Sequence, residues 1–226
     1  MAGLSAATAL AAVGQRIIVL DKGRGPGGRM AARRAEIGGE QVGFDHGAQY
    51  FTARDPAFRE AVAAWEAAGV AARWPAAGVE AWVGTPGMAS LGRFMAHGLD
   101  IRLQCRVAGM ARMDGAYQLT IHLGDGTVRV ESGFDAVVCA VPAEQVVPLF
   151  DEIHKPLASL ASGVQSNVTW SVMLTPREAV KVDFDGAFVV DSPLGWICRD
   201  SSKPGRAVGD RWMLQATADW SRLHQD

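Results

Sequence analysis

The chain has no long apolar run, no excess of one charge, no closely spaced cysteines and no internal repeat. Each absence removes a class of protein. The apolar stretch at residues 4–13 is too short to cross a bilayer, and Gln15 and Arg16 interrupt it before Ile17. No basic residues precede it and a strand pattern follows at once, so it does not read as a signal peptide either. A membrane partner is therefore not expected. With 22 Lys+Arg against 24 Asp+Glu, the net charge of -2 supplies no positive field for a nucleic-acid backbone. Cys105, Cys139 and Cys198 form no C-x-x-C pattern, which argues against a disulfide framework and against a zinc site. Such cysteines pack as small hydrophobes, and a reducing cytoplasm suits them. The histidines at 97, 122, 154 and 224 show no metal-ligand spacing, so no metal is expected.

The composition that is present, 49% hydrophobic and 20% charged over 226 residues, is that of a folded globular enzyme with one large α/β unit or two modest domains. Residues 3–13 are Ala-rich, with Leu4, Leu10 and Val13 at helical intervals and Gly14 placed to end the helix. A β-branched run follows at residues 16–20 and closes on Asp21, the pattern of a buried parallel strand with an acid at its carboxyl end. Residues 22–29 hold four glycines and a proline and must be a loop. Residues 56–68 predict an amphipathic helix with Phe58, Val62 and Trp65 on one face, 80–84 a strand, and 87–97 a short helix. Strands are expected at 101–108, 117–123, 127–131 and 134–141, the Gly124-Asp125-Gly126 turn joining two of them into a hairpin. The last of these is continuous and apolar, so it is expected back in the parallel sheet, buried on both faces. Segments 168–174, 186–190, 194–198 and 211–217 predict a second, mostly antiparallel sheet.

In dinucleotide-binding folds a strand leads through G-x-G-x-x-G into a helix whose N-terminus faces the pyrophosphate, and an acid about 20 residues on takes the ribose hydroxyls. Gly3 stands where the third glycine belongs, and Asp21 follows at close to that offset. The first strand and the first two glycines would lie before Met1. Alone, an Ala-rich helix after a glycine is common. More specific are Gly27-Gly28-Arg29-Met30 after Asp21-Lys22, and then Phe44-Asp45-His46-Gly47-Ala48-Gln49-Tyr50-Phe51.

On these motifs the sequence resembles the renalase-like branch of the amine-oxidase-type flavoproteins. Further matches are Trp82-Val83-Gly84, Pro86-Gly87-Met88, Ala140-Val141-Pro142-Ala143, Asp191-Ser192-Pro193-Leu194 and Ser201-Ser202-Lys203-Pro204-Gly205-Arg206. The resemblance implies an α/β fold, in which a Rossmann-like FAD-binding domain lacking its first strand is interwoven with a mostly antiparallel substrate domain. The expected division is 1–52 with 98–145 for FAD, and 53–97 with 146–226 for substrate. It implies FAD as cofactor, held by Gly3, Asp21, Lys22, Gly28, Arg29, Gln49, Tyr50 and Val107. Asp21 would take the adenosine ribose, Arg29 the pyrophosphate, Gln49 and Tyr50 would approach the flavin, and the backbone of Val107 would meet adenine. Glycines let the backbone approach phosphates, and a guanidinium can donate two parallel hydrogen bonds to them.

By the same resemblance a small substrate gives hydride to the flavin and dioxygen takes the electrons as hydrogen peroxide. The substrate would be a dihydro isomer of a nicotinamide nucleotide or an amine. No catalytic residue is assigned. His46 in its Gly-rich segment reads as structural. Lys203 and Arg206 are candidates to recognise an anionic substrate, against the plainer reading of a solvated loop. Trp170, Trp196 and Trp212 are candidates to wall the substrate cavity, and equally good core residues. Two alternatives stand beside the enzyme: a dinucleotide-binding module without redox turnover, and an inactive fragment that binds FAD weakly, since relatives continue past Asp226.

Overall fold

The computed structural model describes residues 1–225, which divide into two compact units, each made of two chain segments. The first comprises residues 1–26 and 95–166, the second 27–94 and 167–226. Both units are therefore discontinuous along the chain. Residues 27–52 belong with the second unit because Phe51 pairs with Trp82 on a neighbouring strand and Phe44 enters that unit's core. Residues 146–166 belong with the first, where helices Ala143–Phe150 and Lys155–Ser162 pack on each other.

In the first unit, helix Ala2–Ala12 ends where Gly14 takes a φ of 81°, a left-handed conformation that glycine adopts without steric cost. The chain then enters strand Ile18–Leu20, which pairs in parallel with Asp100–Arg102, Leu20 opposite Arg102. Helix, turn and parallel strand are as the sequence predicts. An antiparallel meander follows, Cys105–Met113, Ala116–Leu123 and Val128–Phe134. Its second turn is set by Asp125, whose carboxylate accepts from the N–H of Thr127 at 2.9 Å. Cys105, Leu119 and Ile121 form its small core.

The strand expected at 134–141 is not there. The ladder ends at Phe134, and residues 136–141 pair with no strand among the described residues. Val138 and Val141 are 61% and 41% exposed. An apolar run becomes a buried strand only where neighbours take its amides and carbonyls. Beyond Phe134, only Val137 of this run packs against the meander core among the described residues.

The second unit is built on a four-stranded antiparallel sheet whose order in space is Ser171–Leu174, Trp212–Ala216, Leu194–Arg199 and Gly186–Phe188. A smaller sheet places Ala81–Gly84, buried along its whole length, between Phe51–Thr52 and Ala71–Arg73. Helix Pro56–Ala67 starts where Asp55 accepts from the N–H of Phe58 and Pro56 needs no amide partner. It buries Val62 and Trp65, as its periodicity predicts. The hairpin Arg33–Ile37 with Glu40–Phe44, turned on Gly38 and Gly39 at positive φ, was not evident from the irregular alternation of its sequence. Phe44, Trp74, Val83, Met88, Trp196, Cys198 and Met213 make the core.

Candidate functional site

In the first unit Gly3 lies in the opening turn of helix Ala2–Ala12, and a Cβ there would come within 3.2 Å of the Ala140 side chain. That close approach is what the third glycine of a dinucleotide loop provides. Asp21 follows Leu20 directly. Its amide donates to the Arg102 carbonyl at 3.0 Å, and its Oδ1 accepts from the Gly23 N–H at 2.7 Å. Half of the carboxylate therefore shapes the turn. The other oxygen has no hydrogen-bond partner among the described residues. Lys22 is exposed and donates to Gln145 at 3.0 Å. Val107 sits at a register shift in strand Cys105–Met113, opposite Ile121 and against the core of the meander.

In the second unit the two diagnostic motifs meet. Gly27 and Gly28 have φ of 115° and 57°, and the chain tightens into the turn Gly28–Met30. The Arg29 carbonyl accepts from the N–H of Ala48 at 3.1 Å. A Cβ on Gly47 would lie 2.1 Å from that same oxygen, so only glycine permits the contact. The glycine of the second motif is thus the surface on which the first motif rests. The Arg29 side chain is exposed and pairs with no acid among the described residues.

Gln49 is buried, and all of its hydrogen-bonding capacity is spent inside the protein. Its Nε2 donates to the carbonyls of Asp45 and Gly47, and its Oε1 accepts from Lys203 Nζ at 3.1 Å and from the Cys198 thiol at 3.3 Å. The structure places this amide, expected beside a flavin, inside the turn. Tyr50, the next residue, is half-buried with its ring 5.5 Å from that of Trp196.

Lys203 and Arg206 are neither solvated nor free to meet an anion. Lys203 is fully buried and donates to Asp200 at 2.7 Å and to Asp45 at 3.4 Å. Arg206 pairs with the same Asp45 and donates to the carbonyls of Gly84 and Pro204. Met88 N–H completes the shell of Asp45 at 2.9 Å. Two cations facing two anions make the cluster neutral, the condition under which buried charge is tolerated. Burial pushes the Cys198 thiol up to about 11, with the Lys203 ammonium opposing. The network escapes sequence reasoning because its partners lie 154 to 161 residues apart along the chain. One signal was present, an acid directly after the buried Phe44 that ends strand Glu40–Phe44.

The three tryptophans do not line one wall. Trp196 pairs across to Gln215 on the core face, near Trp74 and Phe188. Trp212 pairs with Arg199 three positions on, hence on the opposite face, where the guanidinium lies 4.6 Å from its ring. Trp170 is half-exposed and donates to the His224 carbonyl. His46 lends the site its backbone carbonyl, which accepts from Ser171 at 3.1 Å. Its ring Nδ1 is buried with no partner among the described residues.

A family model described as flavin containing amine oxidoreductase matches residues 75–204. The chain belongs to the flavin containing amine oxidoreductase family. A second model, an NAD(P)-binding Rossmann-like domain, matches residues 1–65. A 2.06 Å crystal structure of a protein provisionally assigned as a protoporphyrinogen oxidase, from Exiguobacterium sp. 255-15, is similar with a TM-score of 0.44 and 21% identity. The match covers 61% of this chain and 30% of that one, so the chain spans less than a third of that protein's length.

FAD is the usual cofactor of the family. Within each unit the residues present suit its parts. An exposed Arg29 with no acid partner follows two glycines at positive φ, which suits phosphate. Asp21 keeps one oxygen without a partner, which suits a ribose hydroxyl. No helix among the described residues is long and apolar enough to cross a membrane.

Proposed function

We propose that the protein is an FAD-dependent oxidoreductase of renalase type, oxidising a small substrate and delivering the electron pair to dioxygen. The observation that carries this reading is the contact through Gly47, which joins the Gly-Gly-Arg turn to the Gln49-Tyr50 segment while leaving the Arg29 side chain exposed. Bound FAD would supply the two-electron chemistry, accepting hydride from the substrate and returning the pair to dioxygen as hydrogen peroxide. The chain's own part is to bind and orient. Within the first unit, Gly3, Asp21 and Lys22 with the backbone of Val107 would suit the adenosine end; within the second, Gly28 and Arg29 would suit the pyrophosphate. Tyr50, backed by Trp196 and Trp74, would present an aromatic surface to the reacting ring.

The substrate is a dihydro isomer of a nicotinamide nucleotide in this reading, with an amine as the rival. Its phosphates would need cations other than Lys203 and Arg206, which are buried in ion pairs.

Titration of the purified chain with FAD, followed by visible absorbance, tests the cofactor reading. Arg29→Ala is expected to weaken binding by about 10- to 100-fold, the worth of a charge-assisted hydrogen-bond pair to phosphate. Equal affinity in the variant would overturn the assignment of Arg29. Anaerobic mixing of the FAD-loaded protein with dihydronicotinamide isomers and, separately, with amines decides the substrate class by which one bleaches the flavin. If neither does, the reading as a dinucleotide-binding module without redox turnover gains.

A further inference from the structure

A fully buried ammonium has three N–H groups and no acceptor, and each must find an oxygen. Lys203 finds one on each of three residues, Asp200, Asp45 and Gln49. Counter-charge explains only the first two contacts. Asp45 already accepts from Arg206 and from the Met88 N–H, while Asp200 keeps its other oxygen buried and without a partner. The contact to neutral Gln49 therefore needs a reason of its own.

The reason lies in the amide's orientation. Lys203 and the Cys198 thiol both present protons to one end of the Gln49 side chain, which obliges that end to be the oxygen. The NH2 end then faces the carbonyls of Asp45 and Gly47 and closes the turn on itself. Gln215 donates to the Gly47 carbonyl as well, at 3.0 Å, and ties the closed turn to the sheet. Tyr50 is the next residue, and its direction is set by where this turn ends.

We propose that Lys203 is a positioning residue, acting through the Gln49 amide to hold the Tyr50 ring against Trp196. The proposal rests on the functional reading above, in which Tyr50 faces the reacting ring. Lys203 touches neither substrate nor cofactor in this scheme. It fixes the aromatic surface from behind.

The test separates positioning from charge balance. The chain has two tyrosines, Tyr50 in the second unit and Tyr117 in the first. Fluorotyrosine labelling therefore gives two fluorine NMR signals, assigned with Tyr117→Phe, and Tyr117 serves as internal control. Lys203→Met alone leaves the anions in excess and is expected to melt early. Lys203→Met with Asp200→Asn removes one charge of each sign and is expected to recover most of the lost melting temperature. The Tyr50 signal should nonetheless move by more than its linewidth or split, with Tyr117 unmoved. Gln49→Met changes no charge and should displace the Tyr50 signal in the same direction. Adding it to the charge-balanced pair should produce no further displacement.

A Tyr50 signal at its parental position in either the charge-balanced pair or Gln49→Met overturns the proposal. FAD titration of the same samples keeps the two ideas apart. A displaced Tyr50 in a chain that takes up no FAD sinks the functional reading and leaves the positioning role standing. An unmoved Tyr50 in a chain that binds FAD does the reverse.

Discussion

An ion pair in the first unit and a charge cluster in the second handle charge in opposite ways. In the first, Arg102 holds Glu131 through two hydrogen bonds of 3.0 and 2.9 Å, with side chains 38% and 28% exposed. In the second, Lys203 meets Asp45 and Asp200 with side chains 0%, 2% and 1% exposed. The chemistry of the pairs is alike and the surroundings are not. Water screens the first pair and replaces either member at little cost. It cannot reach the second, so removing one partner strands a charge in a medium that does not solvate it. The second unit therefore spends part of its folding energy on fixing the turn that carries Gln49 and Tyr50.

The comparison is broken most directly at Asp45. Asp45→Ala leaves Lys203 and Arg206 sharing one anion and is expected to cost about 3–5 kcal/mol. The midpoint of urea unfolding measures it, and a shift no larger than that of a surface variant would show that the cluster is wet after all.

A smaller effect follows from Cys198. Its folded value of about 11 lies above the ordinary 9.0, so the folded thiol keeps its proton where the unfolded one has released it. Stability is then full below about pH 9 and falls as pH rises toward about 11, by an amount on the order of 2–3 kcal/mol. Comparing the pH dependence of melting between the parent and Cys198→Ala isolates the thiol's contribution, because the variant loses the thiol and keeps every other alkaline titration. Parallel profiles would show that the thiol is not desolvated.

Smallest is the loss expected from Glu131→Gln in the first unit, about 1 kcal/mol or less, shrinking further as salt is added. A cost as large as that of Asp45→Ala would erase the contrast.

What could be read from the sequence was local, and what could not was long-range. Helix Pro56–Ala67 was legible because its cap, its first-turn proline and its apolar stripe fall within a dozen residues. The short helix, the parallel strand and Asp21 at its end were legible for the same reason. The hairpin turned at Gly38 and Gly39 carried a turn signal, but its strands are mostly exposed and lack apolar alternation. Residues 134–141 misled because composition describes a strand's appetite for burial and not whether a partner is at hand. Lys203 misled because a lysine in a Pro-Gly loop is ordinarily solvated, and its three partners belong to the Asp45–Gln49 turn and to Asp200. The motifs named a set of candidate residues. It was not legible which of them face outward, as Arg29 does, and which face inward, as Gln49 does.

The segment at 136–141 has a consequence for the protein in concentrated solution. It is six residues long, free of charge and proline, rich in valine, and its backbone pairs with no strand among the described residues. Such a segment is a template for intermolecular strand stacking. Asp135 on one side and Pro142 on the other act as gatekeepers, limiting any stack to the run between them. Cys139, half-buried in the middle of that run, would place a thiol from each molecule at the same level of a growing stack. Shelf life would then depend on reducing agent and on dilution, and precipitation rather than unfolding would be the first sign of ageing.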